Sequence, residues 1–292
     1  MAESRTSKDG EKSSRYCDLF FDADITSVDE DTARLIKLEE ERQSRKLIMI
    51  ASESLCPKPV KQALNSVFTN LYSEGLPSVR MDRESIEEVL DYDFQMTNQR
   101  RLGDRRYYKG CEYVNLLETL AKRRVCELFA THDNPKAEIK LRPEEIHANV
   151  QPLSGAIANN AIYEAFLEIG DTVMGMSLTS GGHLTHGSIA NRSGKHYKII
   201  SYEADVETGE MKWEEMERMV REHKPKMIIA GYSAYPLDID WKRFRKLADM
   251  SGAILLADVS HIAGLIAAGY MSNPIGYADV VMFTTQKTLC GP

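Results

Sequence analysis

The chain has 292 residues, 42% of them hydrophobic and 28% charged, and a formal net charge of -7 from 44 acidic against 37 basic residues. This is the composition of a globular protein with a sizeable core, which excludes disordered, collagen-like and coiled-coil classes. The acidic balance speaks against nucleic acid and anionic membranes as partners.

No apolar run approaches the ~18 residues that a membrane-spanning helix needs. Five scattered cysteines, Cys17, Cys56, Cys111, Cys126 and Cys290, include no pair at two-residue spacing. A reducing, cytoplasmic setting is therefore expected rather than a disulfide framework or a zinc knuckle. The first fifteen residues mix both charges and have no apolar centre, so they read as a solvated tail and not as a secretory signal.

In chain order, a mobile tail is expected over 1–28. Asp29 then caps a helix that runs to about Lys46, with its acidic residues early. Residues Pro57–Asn70 and Val114–Phe129 read as further helices, the second with Val114, Leu117, Ala121 and Val125 on one stripe. Between them, the highly charged stretch 79–104 carries Ile86, Val89, Leu90 and Phe94 at helical spacing and reads as an inserted helix. Residues 29–146 thus form an amino-terminal helical segment.

From His147 onward short apolar runs alternate with helical stretches. Strands are expected at Ala148–Gln151, Thr172–Met176, Tyr197–Ser201, Met227–Gly231, Ala253–Asp258 and Val280–Thr284. Helices are expected at Ile157–Glu168, Trp213–His223 and Trp241–Met250. This alternation predicts an α/β domain over 147–292, with a mostly parallel sheet covered by helices on both faces. Ligands of such sheets lie at the carboxyl ends of the strands.

The common nucleotide-binding signatures are absent from the sequence, but those strand ends carry chemistry. Ser154-Gly155-Ala156 opens a helix and offers free N–H groups and a helix dipole to an anion. Asp258 ends a buried strand on a carboxylate, which needs pairing. Lys287 follows another strand, where partial desolvation would make an amine nucleophile. Ser233 follows a third. An anion turn, a carboxylate and an amine together meet the needs of pyridoxal phosphate. A zinc site from His183, His186, Asp258 and His261 is the rival reading; it leaves Lys287 and the anion turn without a purpose, and no metal is assigned. For His186 the ordinary reading is a histidine that satisfies hydrogen bonds in a packed loop.

Ordered along the chain, Ile50-Ala-Ser-Glu-Ser54, Thr69-Asn-Leu-Tyr-Ser-Glu-Gly75, Arg106-Tyr-Tyr-Lys-Gly-Cys-Glu-Tyr113, Asn149-Val-Gln-Pro-Leu-Ser-Gly155, Gly181-Gly-His-Leu-Thr-His-Gly187, Asp258-Val-Ser-His-Ile-Ala-Gly-Leu265 and Thr284-Thr-Gln-Lys-Thr-Leu289 resemble the serine hydroxymethyltransferases, fold-type I pyridoxal-phosphate enzymes. The resemblance implies reversible transfer of a hydroxymethyl group between serine and glycine, with tetrahydrofolate as carrier. It implies that Lys287 links to the cofactor, Asp258 pairs with its pyridine nitrogen, and His183 stacks on its ring. Ser233 and His261 would contact the phenolic oxygen, and Ser154 and Gly155 the phosphate.

Ser52 would touch the substrate carboxylate and Glu74 would transfer a proton. Tyr72, Glu74 and Tyr108 would enter from the neighbouring subunit of a homodimer, alone or within a dimer of dimers. Leu178 and Leu184 would flank the pterin ring. Gln286 stands where a histidine usually precedes the lysine, Ala156 replaces a frequent serine, and Cys290 stands where arginine or alanine is frequent. The 79–104 segment interrupts what is normally a short loop. The likeness also implies that this is an amino-terminal piece of a longer enzyme, inactive alone, with a carboxy-terminal small domain and its carboxylate-binding arginine beyond Pro292. A folate-independent aldolase acting on β-hydroxy amino acids and a non-catalytic relative are the other readings.

Overall fold

The computed structural model describes residues 21, 23–102 and 105–292, in two compact units, residues 1–50 and 51–292. In the first, Asp29 caps the Glu30–Arg45 helix by accepting from the Thr32 N–H at 3.0 Å. Acidic residues in the first turn and arginines in the last complement the helix dipole. Ile25–Val28 forms a single helical turn capped by Asp24, inside the stretch read as a tail. Most of that tail lies outside the described residues.

The second unit is organised by a five-stranded, all-parallel sheet. A two-stranded antiparallel ribbon, β1 (Gly75–Leu76) and β2 (Arg105–Arg106), lies apart from it in sequence. The sheet consists of β3 (Thr172–Met176), β4 (Lys198–Tyr202), β5 (Met227–Ala230), β6 (Ile254–Asp258) and β7 (Val280–Met282), in the order β4-β3-β5-β6-β7. Its central strands are buried on both faces, so they appear in the sequence as unbroken apolar runs.

Side-chain alternation then sorts these runs into two layers. Met174, Met176, Ile228, Ala230, Leu255 and Ala257 pack with Met216, Val220, Phe244 and Leu247 of the Trp213–His223 and Trp241–Ser251 helices. Val173, Met227, Ile229, Leu256 and Met282 pack with Tyr163 of the Gly155–Phe166 helix. Asp258 shares the parity of Leu256, and this directs its carboxylate toward the second layer.

Several expectations need correction. Ala148–Gln151 is not a strand: Asn149 Oδ1 accepts from the Gln151 N–H at 2.9 Å, and the Gln151 amide donates to Gly75 O at 2.7 Å and Glu118 Oε1 at 2.9 Å. The local turn takes the Gln151 N–H away from any ladder. The Pro57–Asn70 helix divides into Lys58–Leu64 and a 3-10 turn at Val67–Asn70.

On the Glu112–Phe129 helix the buried face is Asn115, Leu116, Thr119, Cys126 and Phe129, not the stripe through Leu117, which is exposed. Apolar periodicity misled because this face buries polar groups that have partners. The 79–104 segment holds two helices, Ile86–Leu90 and Tyr92–Leu102. They part at Asp91, whose Oδ1 accepts from the Phe94 N–H at 3.0 Å and so starts a new helix.

The ribbon is pinned by a buried guanidinium. Arg106 donates from Nε to Asn115 Oδ1 at 2.8 Å, from Nη1 to Ser73 O and Gly75 O, and from Nη2 to Glu118 Oε2 at 2.5 Å. Removing one member of such a pair strands the other in low dielectric. Arg106→Leu is therefore expected to lower unfolding free energy by about 3–5 kcal/mol, read as a fall in the urea midpoint; an unchanged midpoint would refute the pinning role.

Candidate active site

The candidate residues meet at the carboxyl edge of the sheet. The chain leaves β3 for β4 on one side and later enters β5 on the other, and at such a switch point a crevice opens beyond the strand ends. A cavity of about 200 Å³ lies there, and seven of the expected residues line it: His183 after β3, Ser233 after β5, Asp258 and His261 at the end of β6, Lys287 after β7, and Ser154 and Gly155 at the head of a helix. Ser52, Tyr72, Glu74, Tyr108, Leu178 and Leu184 lie outside its lining.

The anion turn is built by the cap of the Gly155–Phe166 helix, where Ser154 Oγ accepts from the Ile157 N–H at 3.5 Å. Gly155 leaves room that a side chain would take: a Cβ there would stand 2.7 Å from Thr284 Cγ2. The turn is open to solvent, as entry of a charged group requires.

Asp258 is buried and bonded at both oxygens. Oδ1 accepts from Ser260 Oγ at 2.6 Å and from the Ser260 N–H at 3.2 Å; Oδ2 accepts from Asn159 Nδ2 at 3.1 Å and pairs with His186 Nε2 at 2.8 Å. The His183 N–H meets His186 Nδ1 at 3.4 Å. That contact makes Nδ1 the acceptor, leaving Nε2 to donate to the carboxylate. Burial alone would push this carboxyl up, but the hydrogen bond from His186, with those from Ser260 and Asn159, holds it well below the usual range. It stays ionised.

Two close approaches make this geometry possible. At Gly175 in β3 a Cβ would lie 2.8 Å from His186 O, and at Gly231 one would lie 2.0 Å from Asp258 O. Only a missing side chain lets the 183–187 loop and the end of β6 come so near the strands.

Lys287 is 9% exposed, and among the described residues its amine has no hydrogen-bond or ion-pair partner. Burial lowers its pKa below 10.5, against the opposing pull of Asp258. Burial likewise lowers His183, aided by His186 and Lys287 against Asp258. It lowers His261 too, where Lys287 adds to the effect. Two polar atoms of cavity-lining residues, Thr284 Oγ1 and Asn159 Oδ1, are buried without partners. Among the described residues no group of three or more His, Cys, Asp or Glu side chains is arranged to hold a metal ion.

Of the residues outside the cavity, Tyr72 and Tyr108 face each other at 5.2 Å between ring centroids. Both are exposed, as are Glu74, Leu178 and Leu184. Ser52 is partly exposed.

Sequence reasoning missed Asn159 and Ser260 and undervalued His186. His186 does satisfy hydrogen bonds in a packed loop, but its partner is the site carboxylate. For Ser260 a signal existed in the Asp-x-Ser spacing, which favours a side chain bonding two residues along. For Asn159 the only signal was its place inside a helix that begins at the anion turn.

The family model for serine hydroxymethyltransferase matches residues 25–102 and 85–292, and its two stretches overlap inside the inserted segment. The serine hydroxymethyltransferase of Acinetobacter baumannii is 43% identical over 274 residues, covering 94% of this chain and 56% of that protein. That of Alcanivorax borkumensis is 44% identical over 268 residues, covering 92% and 54%. That of a Psychrobacter species is 43% identical over 274 residues, covering 94% and 56%. The chain spans about half the length of the curated relatives it matches. Identity of 43% over 94% of the chain, with a family-model match that spans the described sheet, makes it a member of the serine hydroxymethyltransferase family.

Proposed function

We propose that this chain carries the cofactor-holding part of a pyridoxal-phosphate-dependent hydroxymethyltransferase that moves a hydroxymethyl group reversibly between serine and glycine, with tetrahydrofolate as carrier. The observation that carries the reading is Lys287. A lysine whose side chain is nearly buried and whose amine has no partner among the described residues is unusual, and it sits in one cavity with a buried, ionised carboxylate. An amine reserved for a covalent bond accounts for both its burial and its lack of a partner.

The residues fit pyridoxal phosphate. The head of the Gly155–Phe166 helix suits the phosphate. Asp258, held charged, suits a protonated ring nitrogen, and the orphaned Thr284 and Asn159 oxygens leave polar capacity inside the same cavity. When bound, the cofactor supplies an electron sink for the carbanion formed as a bond at the substrate α-carbon breaks.

The chain's own residues do the rest. Lys287 supplies the attacking amine, favoured in its neutral form by burial. Asp258 keeps the proton on the ring nitrogen, His183 covers the ring, and Ser233 and His261 hold the phenolic oxygen. Ser52 is assigned to the substrate carboxylate and Glu74 to proton transfer. Tyr72, Glu74 and Tyr108 serve the site of a second copy in a homodimer, which agrees with their exposure and their places outside the cavity of their own chain. Leu178 and Leu184, exposed at 56% and 48% in the stretch after β3 that also carries His183, offer apolar surface to a pterin. The four described cysteines are free, which suits a reducing cytoplasm, and no described helix is long and apolar enough to cross a membrane.

Borohydride treatment of the protein mixed with pyridoxal phosphate is expected to fix the cofactor to the peptide containing Lys287, and Lys287→Ala to abolish the adduct. A modified peptide centred on another lysine would sink the assignment.

Capture of the cofactor by the unloaded protein should speed up as pH rises, because the attacking amine must be neutral. Since burial depresses the Lys287 pKa, the midpoint of this rise should fall below 10.5, the ordinary lysine value. A stopped-flow pH profile with its midpoint at the ordinary value would contradict the depression.

Asp258→Asn keeps the size of the side chain and removes its charge. Turnover in the full-length enzyme should fall by roughly 10²-fold or more, with a smaller loss of cofactor affinity. Near-normal turnover would overturn the role given to the carboxylate.

A further inference from the structure

Asn159 is fully buried and sits five positions after Ser154, on the helix whose head forms the anion turn. A carboxylate accepts only, so the amide must turn its NH2 toward Asp258. Nδ2 donates to Asp258 Oδ2 at 3.1 Å and to Thr185 Oγ1 at 2.9 Å. The Thr185 hydroxyl proton is then free for His183 Nδ1 at 2.8 Å, an atom that also receives the Thr185 N–H at 3.2 Å. With two donors aimed at Nδ1, that nitrogen is an acceptor and the His183 ring proton sits on Nε2. On the other side, the His183 N–H reaches His186 Nδ1, and His186 Nε2 returns to Asp258. The hydrogen bonds close a ring through Asn159, Thr185, His183, His186 and Asp258.

We propose that Asn159 is a positioning residue that fixes the Asp258 carboxylate and the His183 imidazole in a single register. The proposal rests on the functional reading above, in which these two groups meet the ring nitrogen and the ring face of one ligand. Asn159 belongs to the helix that offers the anion site, so the same rigid element sets all three contacts. A ligand held at its phosphate would then find the carboxylate and the imidazole already aimed, with little ordering left to do on binding.

The test uses full-length protein with 15N-labelled histidine. In the unloaded state, Asn159→Leu, branched at Cγ like asparagine and without donors, is expected to shift the ring nitrogens of both His183 and His186. His183 should lose its fixed tautomer. Thr185→Val should shift His183 and leave His186 in place. With pyridoxal phosphate, Asn159→Leu should raise the dissociation constant roughly tenfold and move the visible absorption of the bound cofactor.

Unmoved His183 signals in Asn159→Leu overturn the proposal, as does movement of His186 alone, which would mean that the amide orients Asp258 without reaching His183. Shifted histidines with unchanged cofactor affinity and absorption overturn the positioning role. If circular dichroism finds Asn159→Leu unfolded, Thr185→Val carries the test, and an unmoved His183 there overturns the relay. Failure of wild-type protein to bind pyridoxal phosphate refutes the functional reading instead, while the histidine signals of the unloaded protein still decide whether Asn159 couples the two groups.

Discussion

A negative charge with almost no access to water sits at the end of β6, and much of the second layer exists to keep it there. Burying an unpaired carboxylate costs several kcal/mol at least, so Asp258 can remain ionised only if each oxygen is bonded. The donors come from three separate places: Ser260 on the turn that follows the strand, His186 on the loop after β3, and Asn159 on the helix ahead of β3. Loop and helix are thereby fastened to one point at the sheet edge. The two close glycine approaches follow from the same requirement, since a side chain at 175 or 231 would push the donors or the strand end away.

This compensation has a consequence for Lys287. Because Asp258 already has four hydrogen bonds, it need not take the lysine as a counter-ion, and the two groups share a cavity without forming an ion pair. Had the carboxylate been left poor in donors, the amine would have been drawn into a salt bridge, held protonated, and made useless as a nucleophile. The separation of duties between a satisfied anion and an unsatisfied amine is the electrostatic design of the cavity.

The legibility of the sequence followed the physics of each element. Thr172–Met176 and Trp213–His223 were read with their observed bounds, because a strand buried on both faces is an unbroken apolar run and a helix over a sheet carries one apolar stripe. Ala148–Gln151 failed because four residues of mixed polarity do not reveal whether a partner strand exists. The Glu112–Phe129 helix was assigned correctly and turned wrongly, since its buried face includes Asn115 and Thr119, which hydropathy places outside. At the site, Asp258 and Lys287 were conspicuous as charges ending apolar runs. Asn159 was not, because a neutral amide inside a helix gains meaning only once the sheet parity that aims Asp258 is known.

The segment between Glu74 and Tyr108 is closed at its neck by main-chain pairing. Antiparallel pairing of Gly75 with Arg106 and Leu76 with Arg105 brings the two ends of the excursion side by side. Arg106 then locks the closed neck to the Glu112–Phe129 helix. Beyond the neck, Met81 and Val89 bury themselves against Leu116, Arg80 bonds Gln95 and pairs with Glu84, and Gln95 donates to Glu84. The excursion therefore carries its own small core and draws on that helix for packing, while the spacing between Glu74 and Tyr107 is fixed by the ribbon, where the Tyr107 N–H donates to Glu74 O at 3.0 Å. Loop-closure cost grows only with the logarithm of length, so once the neck is closed by hydrogen bonds, a longer excursion adds little strain at the residues that flank it.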